Sequence, residues 1–266
     1  MHFKVATFNV NSIRSRLQIL MEWLEKQSPD VVCLQETKVV DKEFPGLVFE
    51  SAGYRAAWFG QKAWNGVAIL SKHPLEEVSR GLQAGGPADD ARLIRASCCG
   101  VAIVNAYVPQ GRAPSDPQFS YKMAWMKALR RLLSAEYSPK QRLLLCGDLN
   151  HAPESIDVYD PERLRGHVCY HPDINTVFRR LLAWGLTDLF RKHCPEPRQY
   201  SFYDYRIPGT VEQGMGWRID HILVTDPLAE CSTDCCIDLE PRLKLKPSDH
   251  TPVVAEFELD SNWSLS

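Results

Sequence analysis

The 266-residue sequence has no excess of positive charge, no Cys-x-x-Cys pair, no apolar run long enough to cross a bilayer and no serine–glycine linker. Each absence removes a class of protein. A formal net charge of −2 argues against a protein that coats long nucleic acid, which needs a lysine and arginine excess to neutralise many phosphates. Any nucleic-acid surface must therefore be a local patch on a balanced body. Without Cys-x-x-Cys spacing a zinc ribbon is not expected. The nine cysteines, an odd number that includes the adjacent pairs Cys98-Cys99 and Cys235-Cys236, suit a reducing compartment rather than a disulfide scaffold. Cys33 and Cys146 sit inside apolar runs and read as small core residues. The cluster Cys231, Cys235 and Cys236 reads as structural. No spanning segment is expected, and residues 3–8 read as a strand of the fold rather than a leader. The expectation is a soluble intracellular monomer with no membrane contact. It would be cytoplasmic, nucleoid-associated in a prokaryote or nuclear in a eukaryote. Residues 1–260 are expected to form one domain, with a short tail over 261–266.

What is present is an ordinary globular mixture, 44% apolar and 24% charged, with apolar residues enough for a large core. Residues 3–8 form a β-rich run, followed by a polar turn. Leu17, Leu20, Met21 and Leu24 then recur at helical spacing. Ser12 is placed to cap that helix and Ser28-Pro29 to end it. Residues 31–34 are continuously apolar, as in a strand covered on both faces. The same order recurs later. Residues 101–107 are a strand, 109–117 a proline-rich turn, 119–133 an amphipathic helix and 143–146 a second buried strand. Residues 66–70, 93–97, 219–224 and 253–257 predict further strands. A helix is expected around Phe178, Leu181 and Leu182, with Gly185 just past its end, and a loop over 81–90. The class is α/β.

Several strand ends carry polar sets: Asn9, Glu36, Tyr107, Asp148 with Asn150, Asp220-His221 and Asp249-His250. In open α/β sheets, ligand sites gather at strand ends, so these six sets point to one shared site. Glu36 offers a carboxylate of the type magnesium prefers, one or two per ion, with water and phosphate completing the shell. Asp148 is placed to accept a proton from water and Asn150 to orient it. A Gly-Asp-x-Asn pattern alone is weak, arising by chance in roughly one such chain in thirty. Two Asp-His pairs near the C-terminus suggest a histidine with one nitrogen fixed by an aspartate and the other free for phosphate. Which aspartate holds which histidine stays open.

The chain resembles the exonuclease III family of abasic-site endonucleases, within the endonuclease/exonuclease/phosphatase superfamily. The stretches that carry the resemblance are Ala6-Thr7-Phe8-Asn9-Val10-Asn11-Ser12-Ile13-Arg14, Leu34-Gln35-Glu36-Thr37-Lys38, Asn65-Gly66-Val67-Ala68, Asn105-Ala106-Tyr107-Val108-Pro109-Gln110-Gly111, Gly147-Asp148-Leu149-Asn150, Trp217-Arg218-Ile219-Asp220-His221 and Ser248-Asp249-His250. The resemblance implies a four-layered α/β sandwich, two packed mixed sheets flanked by helices, like deoxyribonuclease I. It implies a nuclease that uses magnesium, with manganese as a substitute. Such an enzyme hydrolyses the phosphodiester 5′ to abasic sites in duplex DNA, with 3′-to-5′ exonuclease and 3′-end trimming activity on blocked ends. It implies Glu36, Asn9 and Asp249 at the metal, Asp148 as the water-activating base with Asn150 orienting, and Tyr107 near the leaving group. His250 would contact the phosphate, oriented by Asp220.

Other superfamily members act on RNA, inositol phosphates or lipids, so residues between the motifs narrow the choice. Phe202, Trp217 and Ile219 match positions lining the family's pocket for a flipped, base-free sugar. Asn11 and Arg112, together with Lys38, Lys62 and Arg14, are candidates for phosphate contacts. The chain departs from the pattern at Phe202, where many bacterial members have tryptophan, at His151, and in the loop over 207–216. A phosphodiesterase for RNA or a small phosphoester, and a non-catalytic DNA-binding module, are the competing readings.

Overall fold

The computed structural model describes residues 1–82 and 90–260, so the expected tail and most of the loop over 81–90 lie outside the described residues. In chain order the elements are β1 (His2–Asn9), α1 (Ile13–Gln27), β2 (Val31–Gln35), α2 (Gly46–Ser51), β3 (Arg55–Phe59), β4 (Val67–Ser71), β5 (Glu76–Arg80), β6 (Leu93–Cys98), β7 (Val101–Ala106), α3 (Pro117–Glu136), β8 (Leu143–Asp148), α4 (Pro172–Leu182), β9 (Thr187–Asp188), α5 (Leu189–His193), β10 (Asp220–Val224), α6 (Asp226–Ala229), β11 (Ser232–Ile237) and β12 (Val253–Glu258).

The strands form two six-stranded sheets, in the orders β11-β12-β1-β2-β4-β3 and β5-β6-β7-β8-β10-β9. Each sheet has one parallel pair at its heart, β1 with β2 and β7 with β8. Each pair is joined by a crossover helix, α1 in the first sheet and α3 in the second. The repeated strand–helix–strand order of the sequence is this pair of crossovers. Three apolar clusters make four layers. Phe8, Leu20, Trp23 and Leu34 pack α1 on the first sheet. Val5, Cys33, Ile103 and Cys146 fill the space between the sheets. Leu129, Leu133, Leu145 and Phe178 pack α3 and α4 on the second. Cys33 and Cys146 are core residues, as their apolar surroundings predicted.

Ser12 does not cap α1. It stands at the N-cap position with φ 90° and makes no side-chain cap bond. The orphan amides find the next strand end instead: Ser12 N donates to Glu36 O at 2.8 Å and Ile13 N to Thr37 O at 3.0 Å. The helix start is thereby docked on the segment that carries Glu36. Ser28 does end the helix, in a left-handed conformation.

The site ends of the two sheets are tied by polar contacts across the core. Gln35 Nε2 donates to Asn105 Oδ1 at 2.7 Å, and Asn105 Nδ2 donates to Leu34 O and Ala68 O, each at 2.9 Å. Gly147 marks where β8 bends toward the site. Its φ is +137°, and an added Cβ would lie 1.9 Å from Ala106 O. Only glycine lets β7 and β8 approach this closely just before Asp148.

Candidate active site

The C-terminal ends of β1, β2, β7 and β8 and the start of β10 meet at a cleft of about 640 Å³. Its walls include the polar residues Glu36, Tyr107, Asp148, Asn150, Asp249 and His250 and the apolar residues Phe202, Trp217 and Ile219. Among the described residues, Glu36, Asp148 and His250 bring side-chain donor atoms within 4.8 Å of one another.

Register explains part of this. β10 runs antiparallel to β8 with Asp220 opposite Asp148, and like charges opposite one another are unfavourable. His250 resolves the conflict. Its Nδ1 lies 2.8 Å from Asp220 Oδ2 and its Nε2 3.7 Å from Asp148 Oδ2. So Asp220, not Asp249, fixes this imidazole. Burial works against the charged imidazole, but Asp220 and Asp148 outweigh it and hold His250 protonated, up to about 10. The Phe202 ring stands edge-on to it at 4.9 Å.

Asp148 is buried, and that burial, with Asp220 and Glu36 nearby, pushes its carboxyl up to about 7 against the pull of His250 and Asn9. Glu36 goes the other way. Burial raises it, but the Lys38 ammonium, the Asn9 amide and the charge on His250 bring it below its usual range. Two neighbouring carboxylates thus have separated proton affinities, the usual mark of divided roles. Burial, Glu36 and Asp148 push the Tyr107 phenol well up. It stays protonated and donates to Glu36 Oε1 at 2.8 Å.

Asn9 Nδ2 donates to Glu36 Oε1 and to Asp148 Oδ2, both at 2.9 Å, while its oxygen accepts from Asn11 N at 3.0 Å. It presents nitrogen, not oxygen, to the carboxylates and acts here as a spacer between them. The Lys38 ammonium stands 2.8 Å from Glu36 Oε2, a positive charge where a cation would be welcome. Glu36 and Asp148 supply the hard oxygen donors a divalent cation takes. His250 offers it no lone pair while both ring nitrogens carry protons. Asp249 is set to one side, accepting from Asn11 Nδ2 at 2.9 Å.

Asn150 has φ 49°. Its N–H donates to Asp148 Oδ1 at 2.8 Å and its Nδ2 to Val108 O at 2.9 Å. Asn11 lines the cleft, but Arg112, Arg14 and Lys62 do not. Arg112 is solvent-facing beside Asp116, and Arg14 pairs with Glu43 on the surface. His151, the departure after Asn150, is buried behind the site against Phe178. Cleft residues that the sequence reading missed include Tyr159, Leu164, His167, Tyr205 and Trp64. His167 packs on Trp217 with ring centroids 4.8 Å apart. These residues stand on irregular segments, where no periodicity announces a facing side chain.

Comparison with known proteins agrees with this geometry. A family model described as Endonuclease/Exonuclease/phosphatase family matches residues 6–250. The exodeoxyribonuclease III of Haemophilus influenzae is 36% identical over 96% of this chain and 100% of its own length. An AP endonuclease structure from Archaeoglobus fulgidus superposes with a TM-score of 0.94 at 47% identity, covering 97% of this chain and all of that one. A Neisseria 3′ phosphatase solved with a product DNA hairpin gives 0.92 at 37% identity, covering 97% and 100%. The chain belongs to the endonuclease/exonuclease/phosphatase family, on its exodeoxyribonuclease III and AP endonuclease branch.

Proposed function

We propose that this protein is a magnesium-dependent DNA repair nuclease that hydrolyses the phosphodiester 5′ to abasic sites in duplex DNA and also trims blocked 3′ ends. The observation that carries the reading is the convergence of Glu36, Asp148 and a charged His250 beside an apolar wall of Phe202, Trp217 and Ile219. A phosphate placed there faces an imidazolium, and a base-free sugar faces hydrocarbon. Glu36 would hold the divalent ion, magnesium or in its place manganese, which would supply charge neutralisation at the phosphate oxygens. Asp148 accepts a proton from the attacking water, with Asn150 orienting that water. The bond from phosphorus to the 3′ oxygen breaks, and the Tyr107 hydroxyl donates toward the leaving oxygen. The products are a 3′ hydroxyl and a 5′ deoxyribose phosphate. The resemblance to both an AP endonuclease and a 3′ phosphatase supports both activities. We place the enzyme in a reducing intracellular compartment, acting as a monomer.

The deciding experiment presents an abasic duplex beside an undamaged recessed 3′ end and a 3′-phosphate end, with product ends identified. Nicking should require magnesium or manganese and stop with EDTA. No action on any of the three substrates, with release from RNA or an inositol phosphate, would replace this reading with the small-phosphoester alternative. Tight binding without cleavage in magnesium would indicate a non-catalytic module.

The rate should follow a bell in pH. Asp148 must lose its proton to act as base, so the rate rises through the region where its raised carboxyl titrates, about 7 in the metal-free site and lower with a divalent cation beside it. His250 must keep its proton, so the rate falls near 10. Asp220→Asn removes the largest charge that holds that proton and should bring the alkaline limb down toward the ordinary imidazole value of 6.5. An alkaline limb unmoved by Asp220→Asn in a single-turnover pH profile would assign it to another group.

A further inference from the structure

Under the Asp148–Asn150 turn lies an ammonium that the chemistry above does not use. Lys122, on α3, is fully buried. A lysine in such a place is costly unless each of its protons meets an acceptor. Here each one does. Nζ donates to Asn150 O at 2.7 Å, to Val168 O at 2.7 Å and to Gln110 O at 3.2 Å. An ammonium has three donors and no acceptor, so its valence is met by three carbonyls.

Those carbonyls belong to three separate segments that build the cleft. Gln110 follows the turn that carries Tyr107, and Asn150 follows Asp148. Val168 stands between His167 and Cys169, both on the cleft wall. The lysine stem also passes a position that must stay small: a Cβ added at Gly111, where φ is +97°, would sit 3.2 Å from Lys122 Cδ.

We propose that Lys122 is a positioning residue for phosphodiester hydrolysis, joining the three cleft segments through one ammonium and holding Asn150 where it can orient the water that Asp148 activates. Asn150 needs holding. Its left-handed φ of 49° is one that asparagine adopts more readily than other residues with a Cβ but that still needs local hydrogen bonds to fix it. Its N–H is tied to Asp148, its amide nitrogen to Val108 and its carbonyl to Lys122. The carboxamide oxygen is left with the Cys169 thiol 3.9 Å away. It is the acceptor this arrangement reserves for a reactant. An apolar side chain at 122 would leave three buried carbonyls to find water, and the three segments would part.

The proposal rests on the nuclease reading, and the native enzyme in the same assay separates the two: if it fails to nick, that reading fails and Lys122 is not at issue. Lys122→Met and Lys122→Arg are compared with the native enzyme on an abasic duplex at saturating magnesium. The single-turnover rate and the half-saturating enzyme concentration are measured well below each melting temperature. For Lys122→Met the rate should fall about 10–100-fold, the scale of an ångström misplacement, with half-saturation within about twofold. Lys122→Arg keeps the charge and should fold even if the methionine variant does not. Its planar fork cannot send N–H groups to three divergent carbonyls, so the same pattern is expected with a loss of about tenfold. A native rate in either folded variant, or a loss confined to half-saturation, overturns the proposal.

Discussion

Asp148→Asn should fold as the native chain does and nick an abasic duplex about 10²–10⁴-fold more slowly, the range for loss of a positioned general base. Asparagine is nearly isosteric and keeps the Oδ1 acceptor that receives Asn150 N at 2.8 Å, so the turn survives. It also removes a charge that burial, Asp220 and Glu36 disfavour. Against this it places an amide nitrogen near Asn9 Nδ2 and His250 Nε2, which both face Asp148 Oδ2, so net stability should move little. What disappears is the catalytic carboxylate whose proton affinity suits it to take a proton near neutral pH. Glu36 is held below its usual range and Tyr107 well above, so neither can substitute. Circular dichroism, a melting curve and single-turnover nicking at saturating magnesium check this. A folded Asp148→Asn chain with a near-native rate would show that the base lies elsewhere.

The central strands were legible because they are buried on both faces. Residues 31–34 and 143–146 read as continuous apolar runs, and β2 and β8 are buried throughout. The edges were not. β3 and β11 are half-exposed, and β5 is mostly exposed with the sequence Glu-Glu-Val-Ser-Arg. No alternation survives where neither face is covered. The site followed the same division. Asn9, Glu36, Tyr107, Asp148 and Asp220 lie at or beside the ends of legible strands, so their type and placement could be read together. Which aspartate holds His250 depends on the register of β10 against β8 and on the turn at Ser248, whose hydroxyl reaches back to Asn9 O at 2.7 Å. Neither is local in sequence. Ser12 misled because its sequence fits an N-cap, while the competing carbonyls of Glu36 and Thr37 come from a different strand end.

Asp157→Ala should cost about 3–5 kcal/mol of folding stability, the penalty for stranding a buried charge. Arg218 lies between Trp217 and Ile219, two walls of the cleft, and its side chain is 1% exposed. Its guanidinium is shared by two carboxylates, with Nε to Asp157 Oδ1 at 2.7 Å and a second nitrogen to Asp188 Oδ2 at 2.8 Å. Arg191 adds a second guanidinium on Asp157. The backbone repeats the link, Arg218 N donating to Asp157 O at 2.8 Å. Burial alone would raise Asp157 and Asp188, but Arg218, with Arg191 on Asp157 and His221 on Asp188, holds both carboxyls below their usual range. A carboxyl lowered on folding stabilises the native state above its ordinary value, 3.8 here, and that contribution fades as pH falls through the lowered value. The difference between native and Asp157→Ala chains in urea should therefore stay constant from neutral pH down to about 3.8 and close below it. Asp157→Ala combined with Arg191→Ala should cost less than the two losses added, since they remove one shared contact. A loss under about 1 kcal/mol, the scale of an exposed pair, would mean that water reaches Arg218. The same variant links stability to chemistry. With one of its two carboxylates gone, Arg218 holds the backbone that sets Trp217 against Ile219 less firmly, so abasic duplex should bind more weakly even in the folded fraction.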